Sequence, residues 1–117
     1  KTCVRDYIHI NDLCSAIIKS IKNKTDKRLN IINLGSGNGY SILQLIKTLE
    51  VILRKNIKYT FIKKRFGDKS KLVCSIKKAK EILLWQPRQS NLKKIFNDEI
   101  KWQSYLKKLN IKKNNVY

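Results

Sequence analysis

Three glycines lie close together near the middle of the chain, at Gly35, Gly37 and Gly39. They follow an apolar run and precede residues with helical spacing, so residues 30–43 are predicted to form a buried strand, a glycine loop and the start of a helix. Backbone amides at a helix start can bind an anion, but glycines also let a strand turn tightly into a helix. The spacing is G-x-G-x-G and not the G-x-G-x-x-G of dinucleotide-binding loops. The loop by itself leaves both interpretations open.

Cysteine and histidine, the side chains that most often bind zinc, are too few and too dispersed for a standard zinc site. The chain has one histidine, His9, and three cysteines, Cys3, Cys14 and Cys74, with no C-x-x-C pair. An odd number of isolated cysteines does not fit a disulfide framework. It is typical of small buried residues in a protein from a reducing compartment. We therefore expect no metal, a cytoplasmic location and a structural role for His9.

The length and composition predict one domain, or part of one. A chain of 117 residues buries roughly 65% of its unfolded surface, which is enough for one modest core. The sequence contains no methionine and begins with Lys1, which indicates a piece of a longer protein. No apolar run approaches the ~18 residues of a membrane span, and no charged leader precedes an apolar segment. We expect neither a membrane anchor nor a signal peptide in this sequence.

The net charge of +19 would ordinarily favour a nucleic-acid partner. The basic residues are mostly lysines, scattered along a sequence that is also rich in isoleucine and asparagine. These three residue types share A/T-rich codons, so codon bias explains the charge without a selected partner. No RNA-binding motif, helix-turn-helix spacing or basic zipper accompanies it. We expect no nucleic acid and no membrane among the partners, with a basic nucleic-acid-binding module as an alternative.

The elements that must position these residues are short strands alternating with helices. Alternating apolar residues predict a strand within residues 4–10, and Asn11 or Asp12 is the expected N-cap of a helix that ends near residue 22. A polar loop then leads to the predicted strand and glycine loop. The alternation in residues 57–62 predicts a further strand.

Three more helices follow from their caps and apolar spacing. The expected N-caps are Ser41, in a capping box with Gln44; Ser75; and Ser90 or Asn91. The helix after Ser75 ends near Trp85 because Pro87 cannot continue it. The apolar residues expected to face inward are Ile42, Leu45, Ile46, Leu49 and Leu53 in one helix, and Leu92, Ile95, Phe96, Ile100 and Trp102 in the last. Trp85 and Trp102 are expected to anchor the core, and the domain is predicted to span 1–106, followed by a polar tail over 107–117.

Taken alone, the glycine loop resembles motif I of the class I S-adenosylmethionine-dependent methyltransferases, in which glycines let the loop approach the cofactor. The resemblance covers only the loop and its flanks. That family usually has an acidic residue where Asn33 stands, and a second one at the end of the next strand, where this chain has the basic residues 63–65. A methyltransferase fragment is therefore a second alternative.

Four ordered blocks spread over most of the chain resemble the C-terminal part of another family, the UDP-glucose 4-epimerases among the extended short-chain dehydrogenases/reductases. The blocks are RDYIH at residues 5–9, NLGSG at 33–37, RFGD at 65–68 and KAKEILLWQP at 78–87. Their common order and spacing make this resemblance more specific than that of one glycine loop.

This resemblance implies an α/β fold, namely the C-terminal substrate-binding part of an NAD(P)-binding Rossmann-type extended short-chain dehydrogenase/reductase, with short strands and about four helices. In such enzymes the N-terminal Rossmann part binds NAD and carries a Tyr-x-x-x-Lys catalytic pair, while the C-terminal part binds the UDP of the substrate. The implied reaction interconverts UDP-galactose and UDP-glucose by transient oxidation at C4, and the complete enzyme is commonly a homodimer. This chain would hold neither catalytic nor cofactor-binding residues and would be inactive alone.

The resemblance also implies a set of substrate-binding residues: Arg5, Tyr7, Arg65, Phe66, Gly67, Asp68 and Leu72. Arg5 and Arg65 would contact the UDP diphosphate, and Asp68 the uridine ribose. Tyr7 would lie beside the substrate and Leu72 beside the sugar. These roles agree with the chemistry of the groups, because a guanidinium fits phosphate bidentately and a carboxylate accepts hydrogen bonds from two vicinal hydroxyls.

Overall fold

Four helices and a small three-stranded sheet make up the part of the chain that the structure describes. The structure is a computed structural model, and it describes residues 3–23, 29–63 and 65–109. The elements in chain order are β1 (Val4–Asp6), α1 (Ile10–Lys22), β2 (Gly39–Ser41), α2 (Ile42–Leu53), β3 (Lys71–Leu72), α3 (Lys77–Leu83) and α4 (Leu92–Lys108). The predicted α/β class and the number of helices are confirmed.

The sheet has β1 in the middle, between β2 and β3. β1 pairs with β2 in antiparallel fashion, with Arg5 opposite Tyr40 and Asp6 opposite Gly39. It pairs with β3 in parallel, and this register places Arg5 opposite Leu72. Arg5 therefore lies between Tyr40 of β2 and Leu72 of β3.

Two predicted strands are absent from the described residues. Residues 30–34 and 57–62 form no strand, and β1 ends at Asp6 instead of continuing towards residue 10. Residues 30–34 keep the period-two burial of a strand: Ile32 and Leu34 pack against the core, while Ile31 is 72% exposed. A strand also needs a regular ladder of backbone hydrogen bonds. Apolar alternation predicted burial correctly here but not a strand.

The first helix begins earlier than predicted, because the N-cap is His9 and not Asn11 or Asp12. The Nδ1 atom of His9 accepts a hydrogen bond from the Asn11 amide at 3.0 Å, and its Nε2 atom lies 3.1 Å from the Asp98 carboxylate. The Asp12 side chain points instead to the loop after α3, where it accepts from the amides of residues 88 and 89. The role expected for His9 is structural, and its contacts agree with that.

The caps of α2 and α4 are those that the sequence predicts, whereas that of α3 is not. Ser41 and Gln44 form the capping box of α2, and the Asn91 side chain accepts from the Lys94 amide at the start of α4. Ile76 occupies the N-cap of α3 without a side-chain hydrogen bond, so the prediction of Ser75 is wrong. The helix starts at Lys77, so Ser75 lies one residue before the N-cap position.

The core lies between α1 and α3 and is small. Its buried apolar residues are Ala16, Ala79, Leu83 and Trp85. Trp85 is 2% exposed and donates its Nε1–H to the Ser15 hydroxyl at 2.8 Å, which confirms its role as a core anchor. Trp102 is 52% exposed and stacks on Tyr105 at the surface of α4, so the prediction that it faces inward is wrong.

Other burial predictions are corrected in the same direction. No residue of α2 is fully buried, since Ile42 and Leu53 at its two ends are exposed and the rest of its apolar stripe is half-buried. Cys14 is exposed, and Cys3 and Cys74 are half-buried.

Helix α4 runs through Lys108, so it continues into the segment predicted as a polar tail; residues 110–117 lie outside the described residues.

Candidate functional site

Arg5 lies at the centre of the sheet and is held by the backbone just before β3. Its guanidinium Nη1 donates to the Lys69 carbonyl at 2.9 Å and to the Val4 carbonyl at 2.8 Å. The side chain is half-buried, which leaves part of the guanidinium fork open to solvent. A partly open, oriented guanidinium is suited to binding an oxyanion.

Arg5 and Leu72 border a cavity of about 610 Å³ on the sheet. The other residues that line it come from the end of β1, the residues before the glycine loop and the segment after β3: Asp6, Ile8, Asn33, Leu34, Gly35, Val73, Cys74 and Ser75. Leu72 is 62% exposed, so its side chain stands at the rim. The structure thus brings two of the predicted substrate-binding residues together.

A tight turn carries the second group of predicted residues. Gly67 has a φ of 84°, a conformation that favours glycine, and the Asp68 amide donates to the Arg65 carbonyl at 3.4 Å. Arg65, Phe66 and Asp68 are all exposed. The turn ends one residue before Lys69, the residue whose carbonyl binds Arg5. The two groups are therefore joined through the backbone of residues 68–69.

Arg65 and Asp68 line a second cavity, of about 320 Å³. Its apolar wall comes from α2 and from the segment before the turn, with Ile42, Leu43, Ile46, Tyr59, Phe61 and Ile62. The Tyr59 and Phe61 rings meet edge to face, with centroids 5.4 Å apart. This cavity combines an apolar surface with two cationic side chains, Lys63 and Arg65, and one anionic side chain, Asp68. Phe66 and Tyr7 are not among the residues that line either cavity.

The Asp6 carboxylate is a central group of the site that the sequence did not single out. Its Oδ1 accepts from the Ser36 amide at 2.8 Å and from the Ser36 hydroxyl. Its Oδ2 accepts from the Gly37 amide at 3.0 Å and from the Cys74 amide at 3.1 Å. The sequence shows an aspartate at the end of a predicted strand and a separate glycine loop, but no local pattern predicts that the two contact each other.

The glycine loop therefore binds an anion that belongs to the chain itself. Because the Ser36 and Gly37 amides already donate to Asp6, the loop does not fit the pyrophosphate of NAD or the carboxylate of S-adenosylmethionine. Gly35 must be small for this arrangement, since a Cβ there would lie 2.4 Å from the Cys74 Cβ and 2.7 Å from Asp6 Oδ2. The loop amides thus bind an anion, namely a carboxylate of the chain itself. The predicted turn from a strand directly into a helix is wrong, because residues 30–34 form no strand and β2 lies between the loop and α2.

The Cys74 thiol, which lines the first cavity, is not activated as a nucleophile. Burial, and secondarily the charge of Asp6, raises the pKa of the Cys74 thiol, which keeps it protonated at neutral pH. No group of three His, Cys, Asp or Glu side chains in the described ranges is placed to hold a metal ion. In the same ranges, no helix is long and apolar enough to cross a bilayer.

Comparisons with known proteins identify relatives over most of the chain. No family model matches. The UDP-glucose 4-epimerase of Corynebacterium glutamicum is 37% identical over 97 residues, which are 83% of this chain and 30% of that protein. The UDP-glucose 4-epimerase of Bacillus subtilis is 35% identical over 104 residues, which are 88% of this chain and 30% of that protein. The chain thus spans about a third of the length of these curated relatives.

Solved structures give the same result. The chain superposes on UDP-glucose 4-epimerase from Bifidobacterium longum, in complex with NAD+ and UDP, with a TM-score of 0.80 and 31% identity, covering 89% of this chain and 31% of that one. An epimerase from Stenotrophomonas maltophila, with bound NAD and formylated UDP-arabinopyranose, gives a TM-score of 0.81 at 32% identity, over 92% of this chain and 32% of that one. The resemblance to methyltransferases finds no support in these comparisons.

Proposed function

We propose that this chain, which belongs to the UDP-glucose 4-epimerases of the extended short-chain dehydrogenase/reductase family, provides the UDP-sugar-binding part of an NAD-dependent UDP-glucose 4-epimerase. The complete enzyme interconverts UDP-galactose and UDP-glucose. NAD, bound by the part of the protein outside this sequence, supplies transient oxidation at C4 of the hexose. The task of the present residues is to hold the UDP while the sugar changes its orientation.

The observation that carries this proposal is the link between Arg5 and the turn of residues 65–68. Arg5 binds the Lys69 carbonyl, so its guanidinium lies against the backbone that leaves Asp68. This contact connects the sheet to the turn through the backbone, and the side chains of Arg5, Arg65 and Asp68 are exposed or half-buried. A nucleoside diphosphate presents the complementary groups, which are two phosphates and a vicinal diol.

Each predicted residue has a role in this arrangement. Arg5 and Arg65 bind the diphosphate, because a guanidinium donates two parallel hydrogen bonds to phosphate oxygens. Asp68 accepts hydrogen bonds from the ribose hydroxyls, and the apolar wall of its cavity receives the nucleoside. Leu72, opposite Arg5, lies beside the sugar. The remaining residues are Tyr7 beside the substrate, and Phe66 and Gly67 in the turn.

The proposal extends to the setting of the complete enzyme. It is a homodimer in the cytoplasm, and it binds neither nucleic acid nor membrane. Nucleic acid is left out of the proposal because the positive charge comes mostly from lysines scattered along the chain, whereas nucleic-acid-binding domains concentrate their charge on one face or helix.

Arg65→Ala in the complete enzyme tests the proposed role of the turn. We expect the substitution to weaken UDP binding by about 1.5–3 kcal/mol, the contribution of hydrogen bonds to a charged group, which is roughly ten- to a hundredfold in Kd. Isothermal titration calorimetry with UDP measures the change.

The matched control is Arg88→Ala, which removes the same charge from a residue outside both cavities. It should leave the Kd for UDP within about twofold of the parent value, since only long-range charge is lost. Equal UDP affinity in the parent and Arg65→Ala proteins would contradict the proposed function.

A further inference from the structure

The amides that surround Asp6 come from two segments that are distant in sequence from β1. Ser36 and Gly37 belong to the glycine loop, and Cys74 follows β3. Asp6 therefore ties the loop and the segment after β3 to the end of the central strand. A carboxylate with several amide donors is an effective tie, because hydrogen bonds to a charged acceptor are about twice as strong as neutral ones.

Arg5 and Asp6 hold β3 from its two ends. The Arg5 guanidinium binds the Lys69 carbonyl before β3, and the Asp6 carboxylate binds the Cys74 amide after it. β3 itself contains only two residues, so its own pairing with β1 is a weak constraint. The Val4 amide also donates to the Ser70 carbonyl at 2.9 Å, next to Lys69. The Asp6 contact adds the constraint at the other end of β3, and the orientation of Lys69 towards Arg5 depends on both ends being held.

We propose that Asp6 is a positioning residue for UDP binding, in that its hydrogen bonds to Ser36, Gly37 and Cys74 fix β1 and β3 so that the Arg5 guanidinium faces the diphosphate. This inference rests on the proposed function of the site. It adds a residue that does not itself touch the ligand. It also assigns the glycine loop a purpose, which is to satisfy a carboxylate placed next to an anion-binding arginine.

The charge of Asp6 and its geometry make opposite predictions for UDP affinity. As a bare negative charge beside a diphosphate site, Asp6 would weaken binding, and Asp6→Asn would strengthen it. As a positioning residue, Asp6 must accept from all its donors. The side chain of Asp6→Asn has only one oxygen, and its NH2 group replaces the other. In one orientation the NH2 group faces the Ser36 amide, and in the other it faces the Gly37 and Cys74 amides. In either case donors face each other and repel. Asp6→Asn should then weaken UDP binding.

The test compares UDP with uridine as ligands of the complete enzyme, in the parent and Asp6→Asn proteins. Only UDP carries the diphosphate that Arg5 binds. We expect the Kd for UDP to rise about tenfold, as for the loss of one charge-assisted hydrogen bond, and the Kd for uridine to change less than about twofold because its contacts lie at Asp68. Asp98→Asn in α4 is the matched control, with the same change of side chain away from both cavities, and it should alter neither Kd.

A double-mutant cycle with Arg5→Ala shows whether Asp6 acts through Arg5. In the Arg5→Ala background, Asp6→Asn should have almost no further effect on the Kd for UDP. Ser36→Ala provides a milder change if Asp6→Asn fails to fold, since it removes one hydroxyl donor and keeps the carboxylate. It should raise the Kd for UDP in the same selective way, by a smaller factor.

Three results would overturn the inference. They are tighter UDP binding in Asp6→Asn, equal losses for UDP and uridine, and full additivity with Arg5→Ala. If the parent enzyme itself binds no UDP, the proposed function fails and this inference falls with it. If the parent binds UDP and Arg65→Ala weakens it while Asp6→Asn and Ser36→Ala do not, only the inference fails.

Discussion

Asp6 is the last residue of β1 and Asp12 lies in the first turn of α1, and their carboxylates make the same kinds of hydrogen bond. Each carboxylate accepts from backbone amides of a segment distant in sequence and from a serine hydroxyl. Asp6 binds residues 36, 37 and 74. Asp12 binds the amides of residues 88 and 89 at 2.9 and 2.8 Å and the Ser90 hydroxyl at 2.6 Å. The difference lies in their surroundings.

Asp12 is 4% exposed and connects α1 to the loop between α3 and α4. The hydroxyl of Ser90, in the same loop, donates a hydrogen bond to Asp12 and accepts one from the His9 amide at 2.9 Å. Both aspartates line a cavity, that of Asp12 having about 530 Å³, but Asp6 is half-buried and lies beside Arg5. Identical hydrogen-bonding groups therefore serve stability in the enclosed position, and the comparison predicts that they serve ligand binding in the open one.

Asp12→Ala should have the largest effect on stability. It leaves two partly buried amides and the buried Ser90 hydroxyl without their acceptor. An unsatisfied buried group costs about 1–3 kcal/mol, so we expect the free energy of unfolding to fall by about 3 kcal/mol. Urea denaturation followed by circular dichroism measures the change.

The matched variant is Asp6→Ala. Because water reaches the half-buried position, its loss of stability should be smaller, about 1–2 kcal/mol. Losses of the same size in the two variants would remove the distinction between an enclosed tie and an open one.

Gly35→Ala should have the next largest effect, since it disturbs the Asp6 cluster without removing any of its groups. The added Cβ would lie under 3 Å from atoms of Cys74 and Asp6, so backbone must move. Overpacking of this kind costs about 1–3 kcal/mol. Thermal unfolding and urea denaturation detect it.

Gly67→Ala is the control for Gly35→Ala, because no atom lies within 4 Å of the position of its added Cβ. Its cost comes only from the positive φ, about 1 kcal/mol. Gly35→Ala should also weaken UDP binding through the displaced Asp6. A Gly35→Ala protein as stable as the parent would show that the close approach at Cys74 relaxes freely.

Local signals were sufficient for the N-terminal caps of α2 and α4 but not for those of α1 and α3. The capping box at Ser41 and the cap at Asn91 depend on residues within one helical turn, and both are present as predicted. Trp85 was correctly placed in the core, because it falls on the buried side at the end of α3.

Long-range contacts decided the features that the sequence did not predict. Asp12 has the residue type of an N-cap, but the distant amides of residues 88 and 89 compete for its carboxylate, so His9 takes the cap. The segment at 30–34 has the apolar alternation of a strand, yet pairing depends on a neighbour that alternation does not specify. The partnership of Asp6 with the glycine loop has the same origin, since it joins residues thirty positions apart.

The smallest expected effect is a pH dependence that separates Asp12 from the other carboxylates. Although burial alone would raise the pKa of Asp12, its hydrogen bonds with Ser90, Arg88 and Gln89 hold that pKa below the usual value. A carboxyl whose pKa is lower in the folded state stabilises the fold above its unfolded pKa, and this contribution is lost as the pH falls through the folded pKa.

Asp12→Asn lacks this titration, so the parent should exceed it in stability by a constant amount above about pH 5, and the difference should shrink once the pH falls below about 4. Urea midpoints of both proteins between about pH 7 and pH 3 measure it. Asp98, whose pKa is lowered mainly by the Lys94 ammonium, titrates in both proteins and cancels from the difference. If the stability difference stays constant to the acid end of this range, Asp12 contributes through its shape alone and not through its charge. Asp6 and Asp12 would then differ in more than their exposure.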